Sequence, residues 1–446
     1  MSKALDLTHG PVEKNLIKMA VPMAIGILAV IGFNLVDTFF VSQLGTKELA
    51  AISLTFPIIS ALQSLTMGLG AGLSSVVSRL KGAGKIGELK TIVSHSLLFS
   101  VVLVTAMAIT GLLTIKELFT ALGASEDLIP LIKDYMGIWY WGIGFIVIPM
   151  MGNSAIRGLG DAKTPALIMI IAGFINAVLD PILIFGFMGI PALGIKGAAL
   201  STVISTATTC VAALYILSKR ENIIEYKIPS LAAFYKSIRK VLYVAIPAAF
   251  NQVSQPIAVA ILMSLVTVYG TEATAAFGIY IKLEALVMIP LFSISSALGP
   301  FMGQNYGAGI FSRLKQAYKY SFIFVAVYGL FLASSIYYFG SYLILPFSND
   351  EAVVSIAWKT LSLVGFSYAF QGLTLLAVSS FNSLGKPLPS FVLTMLKTLV
   401  ALIPACWILE MNFGLDGIYY GISGINILVG LLSLCLVIMF LSKKTK

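Results

Sequence analysis

The stretch MAVPMAIGILAVIGFNLVDTFFV, residues 19–41, holds a single charge, Asp37. An apolar run of about 20 residues is long enough to cross the hydrocarbon core of a bilayer as a helix. Similar runs recur from one end of the chain to the other. Of its 446 residues, 58% are apolar and only 11% charged, and the mean hydropathy is +0.97. A soluble domain carries roughly a quarter charged residues. The alternating ten-residue segments of an outer-membrane barrel are absent. The chain therefore reads as an all-α polytopic membrane protein. That poses a question: why does its first span carry a carboxylate where burial is costly?

The residues ahead of that span mix acidic and basic groups and lack a small-residue cleavage site. The first helix is thus expected to be its own insertion signal. The net charge of +10 does not imply nucleic acid, because cytoplasmic loops of membrane proteins collect Lys and Arg. Cys210, Cys406 and Cys435 lie inside apolar runs, at spacings that fit neither a metal site nor a disulfide framework.

Twelve spans account for the apolar runs: 16–44, 49–78, 91–115, 128–155, 164–187, 194–218, 241–269, 273–303, 314–340, 353–380, 388–411 and 415–441. An even number puts both termini on one side. If that side is the cytoplasm, five of the 29 Lys and Arg fall in outer loops: Lys47, Lys116, Lys133, Lys196 and Lys359. Lys282 and Lys397 fall deep inside spans, and the rest lie in inner loops and tails or, like Lys18, Lys315 and Lys319, at the inner ends of spans. This bias predicts cytoplasmic termini in an inner membrane. The polar stretch SKRENIIEYKIPS, 218–230, interrupts the pattern at the midpoint. The expected organisation is a six-helix bundle over 1–220, a cytoplasmic linker over 221–240 and a second bundle over 241–446.

The two halves repeat. AVPMAIG at 20–26 answers AIPAAFN at 245–251, and GTKELAA at 45–51 answers GTEATAA at 270–276. KGAG at 81–84 answers YGAG at 306–309, and IRGLG at 156–160 answers FNSLG at 381–385. All four pairs share one offset of 225 residues. Beyond them the offset falls to 224, and GIKG at 194–197 meets GLDG at 414–417 across a shorter loop. Each half has an even number of spans, so the copies are parallel, a transporter plan. The repeat isolates what is not duplicated: Asp37 aligns with Leu262, Asn176 with Val400 and Asp180 with Pro404.

Asp37 lies seven residues before the outer end of span 1, and Asp180 seven before that of span 5. At 1.5 Å per residue, each sits about 10 Å below the surface. Tyr135 of span 4 and Thr202 of span 6 reach the same depth from the opposite chain direction. Asn176 shares the face of Asp180 one turn deeper, and Asn34 stands one turn before Asp37. Pro181 is expected to kink its helix and Pro22 to do the same in span 1. Two carboxyls brought together can share a proton, and a cation then competes with that proton for one site. This is the minimal chemistry of an antiporter. The second half offers Asn251, Gln252, Gln255 and Gln371 as neutral cavity lining, and Glu284 with Lys397 as an interhelical pair. Gly68, Gly70 and Gly72 favour close helix packing. Trp139, Tyr140 and Trp141 are adjacent and splay around span 4, some of them toward lipid.

These segments resemble the multidrug and toxic compound extrusion (MATE) family. The matching stretches are NLVDTFFVSQLGTKELAA, AIRGLGDAKTP, NAVLDPILIFGFMGIPALGIKGAALST and IKLEALVMIPLFSISSALGPFMGQNYGAG, and the likeness covers essentially the whole chain. The resemblance implies twelve helices in two pseudo-symmetric six-helix bundles forming a V. It also implies export of lipophilic, often cationic drugs and dyes in exchange for H⁺ or Na⁺, without enzymatic chemistry or a cofactor. The DinF-like branch is similar in its acid in helix 1 and its Asn-x-x-x-Asp in helix 5. Here these are Asp37, Asn176 and Asp180, with Tyr135 and Thr202 as further coupling residues. Candidate substrate contacts are Asp37, Asn34, Asn176, Gln255 and Gln371. The acids that the NorM-like branch carries in helices 7 and 10 are missing, which favours coupling through the first half. H⁺ is the expected ion, with Na⁺ at Asp180 and Asn176 as the alternative. A monomer suffices.

Two other classes compete. A flippase for a lipid-linked precursor shares this plan, but it is expected to hold several central Lys or Arg for pyrophosphate, and only Lys282 and Lys397 qualify. A membrane enzyme or an ATP-driven pump lacks its motifs here. His9 and His95 are the only histidines.

Overall fold

The computed structural model describes residues 5–187, 189–227 and 229–443. It is all-α apart from an isolated bridge, Phe187 to Ile190. The helices are α1 (Val12–Ser42), α2 (Thr46–Gly82), α3 (Ile86–Ala121), α4 (Ile129–Gly142), α5 (Gly144–Gly158), α6 (Lys163–Phe185), α7 (Ile195–Tyr215) and α8 (Leu231–Thr267). There follow α9 (Thr271–Val287), α10 (Ile289–Gly307), α11 (Phe311–Ile344), α12 (Glu351–Gly365), α13 (Tyr368–Ser383), α14 (Pro387–Met395), α15 (Ile403–Phe413) and α16 (Leu415–Lys443). Two π-helical turns, Ile216–Arg220 and Leu396–Leu402, extend α7 and join α14 to α15. Among the described residues, nine helices are long and apolar enough to span a membrane, or up to twelve if each bent pair counts as one span.

The bends have local causes. The α4–α5 bend of 43° falls at Gly142–Gly144, where two glycines flank Ile143. The α9–α10 bend, also 43°, precedes Pro290 in the first turn of α10. The 52° bend between α12 and α13 follows Gly365. α1 and α6 continue as helices through Pro22 and Pro181, the prolines at which kinks are expected. Pro181 has no N–H to give the Ala177 carbonyl, and α6 still continues to Phe185.

The chain divides into two compact units. The first contains Leu5 and Ile25–Ala245, and the second contains Asp6–Ala24 and residues 246–443. The polar connection after α7 thus belongs to the first unit. Residues 6–24 join the second because Leu7 is tied there. Its amide donates to Gln304 Oε1 at 3.3 Å. Its carbonyl accepts from Asn305 Nδ2 at 3.0 Å and Arg313 Nη2 at 3.1 Å.

The internal repeat is visible in the backbone. Gly84 and Gly309 both take left-handed φ, 70° and 75°, in the turns after α2 and α10. Gly197 and Gly417 permit the same close approach: a Cβ there would come within 2.4 Å of the Leu183 carbonyl and 2.1 Å of the Leu409 carbonyl. In lipid no hydrophobic force drives helices together, so small residues that let backbones touch do much of the packing. Gly70 does this against Ser154 of α5 and Gly72 against Val241 and Ala245 of α8. Around α4, Trp139 and Tyr140 are 3% and 2% exposed in an apolar cluster, while Trp141 points outward at 79%. Of the five lysines that the sequence assigns to outer loops, three face an acid among the described residues: Lys47 with Asp127, Lys196 with Asp134 and Lys359 with Asp416.

Candidate functional site

α1 leans on α6 in a seven-residue register. A Cβ on Gly26 would lie 3.3 Å from that of Ala166, and one on Gly173 would fall 1.8 Å from the Phe33 ring. Two parallel helices in such register keep the same faces together. One turn beyond Phe33 comes Asp37, and seven residues beyond Gly173 comes Asp180. The two carboxyls are within hydrogen-bonding reach of each other. Asp180 is fully buried, Asp37 partly so.

α7 supplies the next shell of contacts. Ser201 is buried and its hydroxyl donates to Asp180 Oδ1. Asn176 Nδ2 donates to the same oxygen at 3.3 Å and to Ser201 Oγ at 3.2 Å. Asp180 Oδ2 has no donor among the described residues. It is buried beside Asp37, and an ionised carboxylate cannot donate. Tyr135 of α4 is buried and near enough to both acids to feel their charge. Ile184, one turn past Asp180, and Ala198, three residues before Ser201, join Tyr135 in an apolar cluster that closes this end.

Of the residues read from the sequence, Asp37, Asn176, Asp180 and Tyr135 come together. Thr202 does not reach the acids: its hydroxyl donates back to the Ala198 carbonyl at 3.1 Å. Ser201, one residue earlier, takes that place. The side chain of Asn34 is exposed, and its backbone carbonyl accepts from Thr38 at 2.8 Å. Gln255 is exposed on α8 in the second unit. Gln371 of the same unit is buried and accepts from Asn426 Nδ2 at 3.4 Å.

A bundle that buries paired acids in one unit and repeats its scaffold in the other fits one family, and the MatE family profile matches residues 22–182 and 247–408, one copy in each half. The chain belongs to the MATE family. It is a polytopic membrane transporter and not an enzyme. Among curated relatives, the FAD transporter of Shewanella oneidensis is 34% identical over 95% of this chain and 94% of its own length. Probable multidrug resistance protein YoeA of Bacillus subtilis is 28% identical over 85% of this chain and 83% of its own. Among solved structures, a single-substitution form of the Vibrio cholerae MATE transporter VcmN superposes with a TM-score of 0.91 at 26% identity. That match covers 96% of this chain and 97% of VcmN. The all-helical architecture of this MATE transporter is thus that of a solved relative over nearly its full length.

Proposed function

We propose that this transporter is a proton-coupled antiporter that exports lipophilic, often cationic small molecules by alternating access, with Asp37 and Asp180 as the proton-carrying pair. The observation that supports this is a buried carboxylate oxygen with no donor, facing a second carboxyl from another helix. Two ionised carboxylates at that range repel, and Asp180 Oδ2 stays unsatisfied. One proton between them removes both costs. A cationic group docking at the pair competes with that proton. Proton entry from outside releases the cation, and proton loss inside restores the site. The two adjacent acids, Asp37 and Asp180, can hold one proton between them. This favours H⁺. The Lys and Arg bias supports cytoplasmic termini in the cytoplasmic membrane. With the inside negative, one positive charge moving inward then supplies about 2.3 kcal/mol per 100 mV.

A second reading of the cargo follows the Shewanella oneidensis relative, which is named an FAD transporter and is similar over nearly the whole chain. In that reading the exported molecule is a flavin nucleotide.

The test is ethidium movement in proteoliposomes under an imposed pH gradient or an imposed Na⁺ gradient. The expected result is accumulation driven by the pH gradient alone. Accumulation driven only by Na⁺ would recast the pair as sodium ligands. No movement under either gradient would return the flippase reading.

The α1–α6 contact gives a second expected outcome. Gly173→Leu drives a side chain into Phe33 and pushes α1 away from α6. Overpacking of this kind costs about 1–3 kcal/mol, enough to part Asp37 from Asp180 in most molecules. pH-driven ethidium transport should fall about tenfold in a protein that still elutes as a single species. Unchanged transport would show that the register of α1 on α6 does not set the pair.

A further inference from the structure

The second unit holds its own polar cluster, built where its helices are interrupted, with Tyr280, Tyr368 and Gln371 buried and Glu284 and Lys397 half-buried. Glu284 lies one turn before the α9–α10 break. Tyr368 and Gln371 open α13, directly after the α12–α13 bend. Lys397 is the second residue of the π-helical turn Leu396–Leu402. The Glu284 carboxylate is within reach of the Tyr280 hydroxyl and the Gln371 side-chain amide, and Lys397 is near enough to act on it electrostatically. Gln371 is fixed from behind by Asn426, which also donates to Ser367 Oγ at 2.9 Å. Tyr368 stands beside Tyr280 and is fully buried. Phe277 stacks on Tyr280 with ring centroids 5.4 Å apart.

The cluster is not a closed structural pair. Among the described residues Lys397 and Glu284 make no direct ion pair, unlike Lys359 and Asp416 at 2.6 Å. An ammonium inside the membrane without a touching anion is expensive. The scaffold does not require the cluster either. In the first unit the equivalent positions are Ile59 for Glu284, Ile143 for Tyr368, Ile146 for Gln371 and Gly173 for Lys397. π-turns and interrupted membrane helices are where binding sites are built, because their freed backbone groups need a polar lining.

We propose that Lys397, Glu284, Gln371, Tyr280 and Tyr368 form a binding site for the phosphate of an aromatic nucleotide, with Glu284 as the internal anion that the phosphate displaces. In the empty site the Glu284 carboxylate balances the Lys397 ammonium. An incoming phosphate takes the ammonium, and Glu284 binds one proton from solvent instead of facing a second negative charge. Among the described residues Lys397 is the cation that acts on Glu284. Tyr280 from its own helix and Tyr368 from α13 are the other titratable groups, and Gln371 is neutral. Phe277 and Tyr280 stack on each other and are 1% and 3% exposed, so they back the site. That the phosphate belongs to an aromatic nucleotide rests on the flavin reading of the cargo. The first unit then reads positive charge or protons and the second reads negative charge. The inference rests on the transporter reading, not on which ion drives export.

The test is equilibrium binding to purified full-length protein, read by flavin fluorescence with FAD and with riboflavin, which has the same ring and no phosphate. The ethidium assay reads coupling and this one reads binding, so either can fail alone. The wild type is expected to bind FAD at least about tenfold tighter than riboflavin, the scale of one charge-assisted contact. Its FAD affinity falls as pH rises, while the pyrophosphate charge stays constant. Lys397→Gln removes the preference and Lys397→Arg keeps it. Glu284→Gln keeps the preference and flattens the pH dependence. If Lys397→Gln fails to fold, the Arg and Glu284→Gln variants carry the test. Equal affinity for the two flavins, no binding of either, or an undiminished preference in Lys397→Gln would overturn the proposal. So would an unchanged pH profile in Glu284→Gln. The same titration with a short-chain phosphatidylglycerol separates a lipid headgroup from a nucleotide. Tighter, Lys397-dependent binding of the lipid would overturn the aromatic assignment.

Discussion

Asp37→Asn is expected to reduce pH-driven ethidium transport to the level of liposomes without protein, while the variant folds as well as the wild type. Asn has the shape of the acid but cannot titrate. Its N–H₂ group offers Asp180 Oδ2 the donor that this buried oxygen lacks. The variant therefore imitates the proton-loaded pair permanently. It should melt at or above the wild-type temperature in detergent, because a repulsive or unsatisfied contact has become a hydrogen bond. Asp37→Leu separates the two effects: it also stops transport, but it leaves Asp180 Oδ2 unpaired. Retained pH-driven transport in Asp37→Asn would sink the proton-pair mechanism whatever the melting curves show.

The sequence carried most of the scaffold. Long apolar runs are read directly from composition, and the constant offset between copies is independent of any helix boundary. Asp37, Asn176 and Asp180, which the structure brings close together, were legible because charged and amide groups stand out in an apolar span. Depth could not separate Thr202 from Ser201. Adjacent residues on a helix share a level and differ only in facing. The signal was the row Gly197, Ser201, Ser205, Thr209, spaced by four along the face of α7 that is buried. Tyr280 and Tyr368 gave no signal, since an aromatic residue looks apolar in such a run. The bends eluded the reading for a related reason. Proline marks a missing hydrogen bond, yet the helix continues through Pro181. The breaks at Ile143 and after Gly365 come from glycine and the packing around it. The lone Glu284 and Lys397 were visible as charges, but the π-turn that holds Lys397 was not.

Asp161→Ala should destabilise the protein more than any substitution at the acid pair. The segment GLGDAKTP looks like a loop, yet Asp161 is 6% exposed. Its Oδ1 accepts the Thr164 amide at 2.9 Å, one of the otherwise unpaired donors at the start of α6. Its Oδ2 accepts from Thr164 Oγ1 at 2.5 Å and from Arg220 Nη2 at 2.6 Å. Arg220 ends the π-turn after α7 and also donates to Thr164 Oγ1 at 2.8 Å and Glu221 Oε1 at 2.8 Å. One carboxylate thus joins the start of α6 to the end of α7. Removing one partner of a buried ion pair costs about 3–5 kcal/mol. Arg220 keeps Glu221 and is 23% exposed, so the lower end, about 3 kcal/mol, is expected. Asp161→Asn keeps an acceptor for the amide and loses only the charge, so it should fall between the two. Thermal unfolding in detergent measures both, and wild-type melting of Asp161→Ala would refute the assignment. At a temperature where the variant is folded, its pH-driven transport per molecule should stay near wild type. Asp180 is held at the far end of α6 by Ser201 and Asn176, and those contacts do not pass through Asp161.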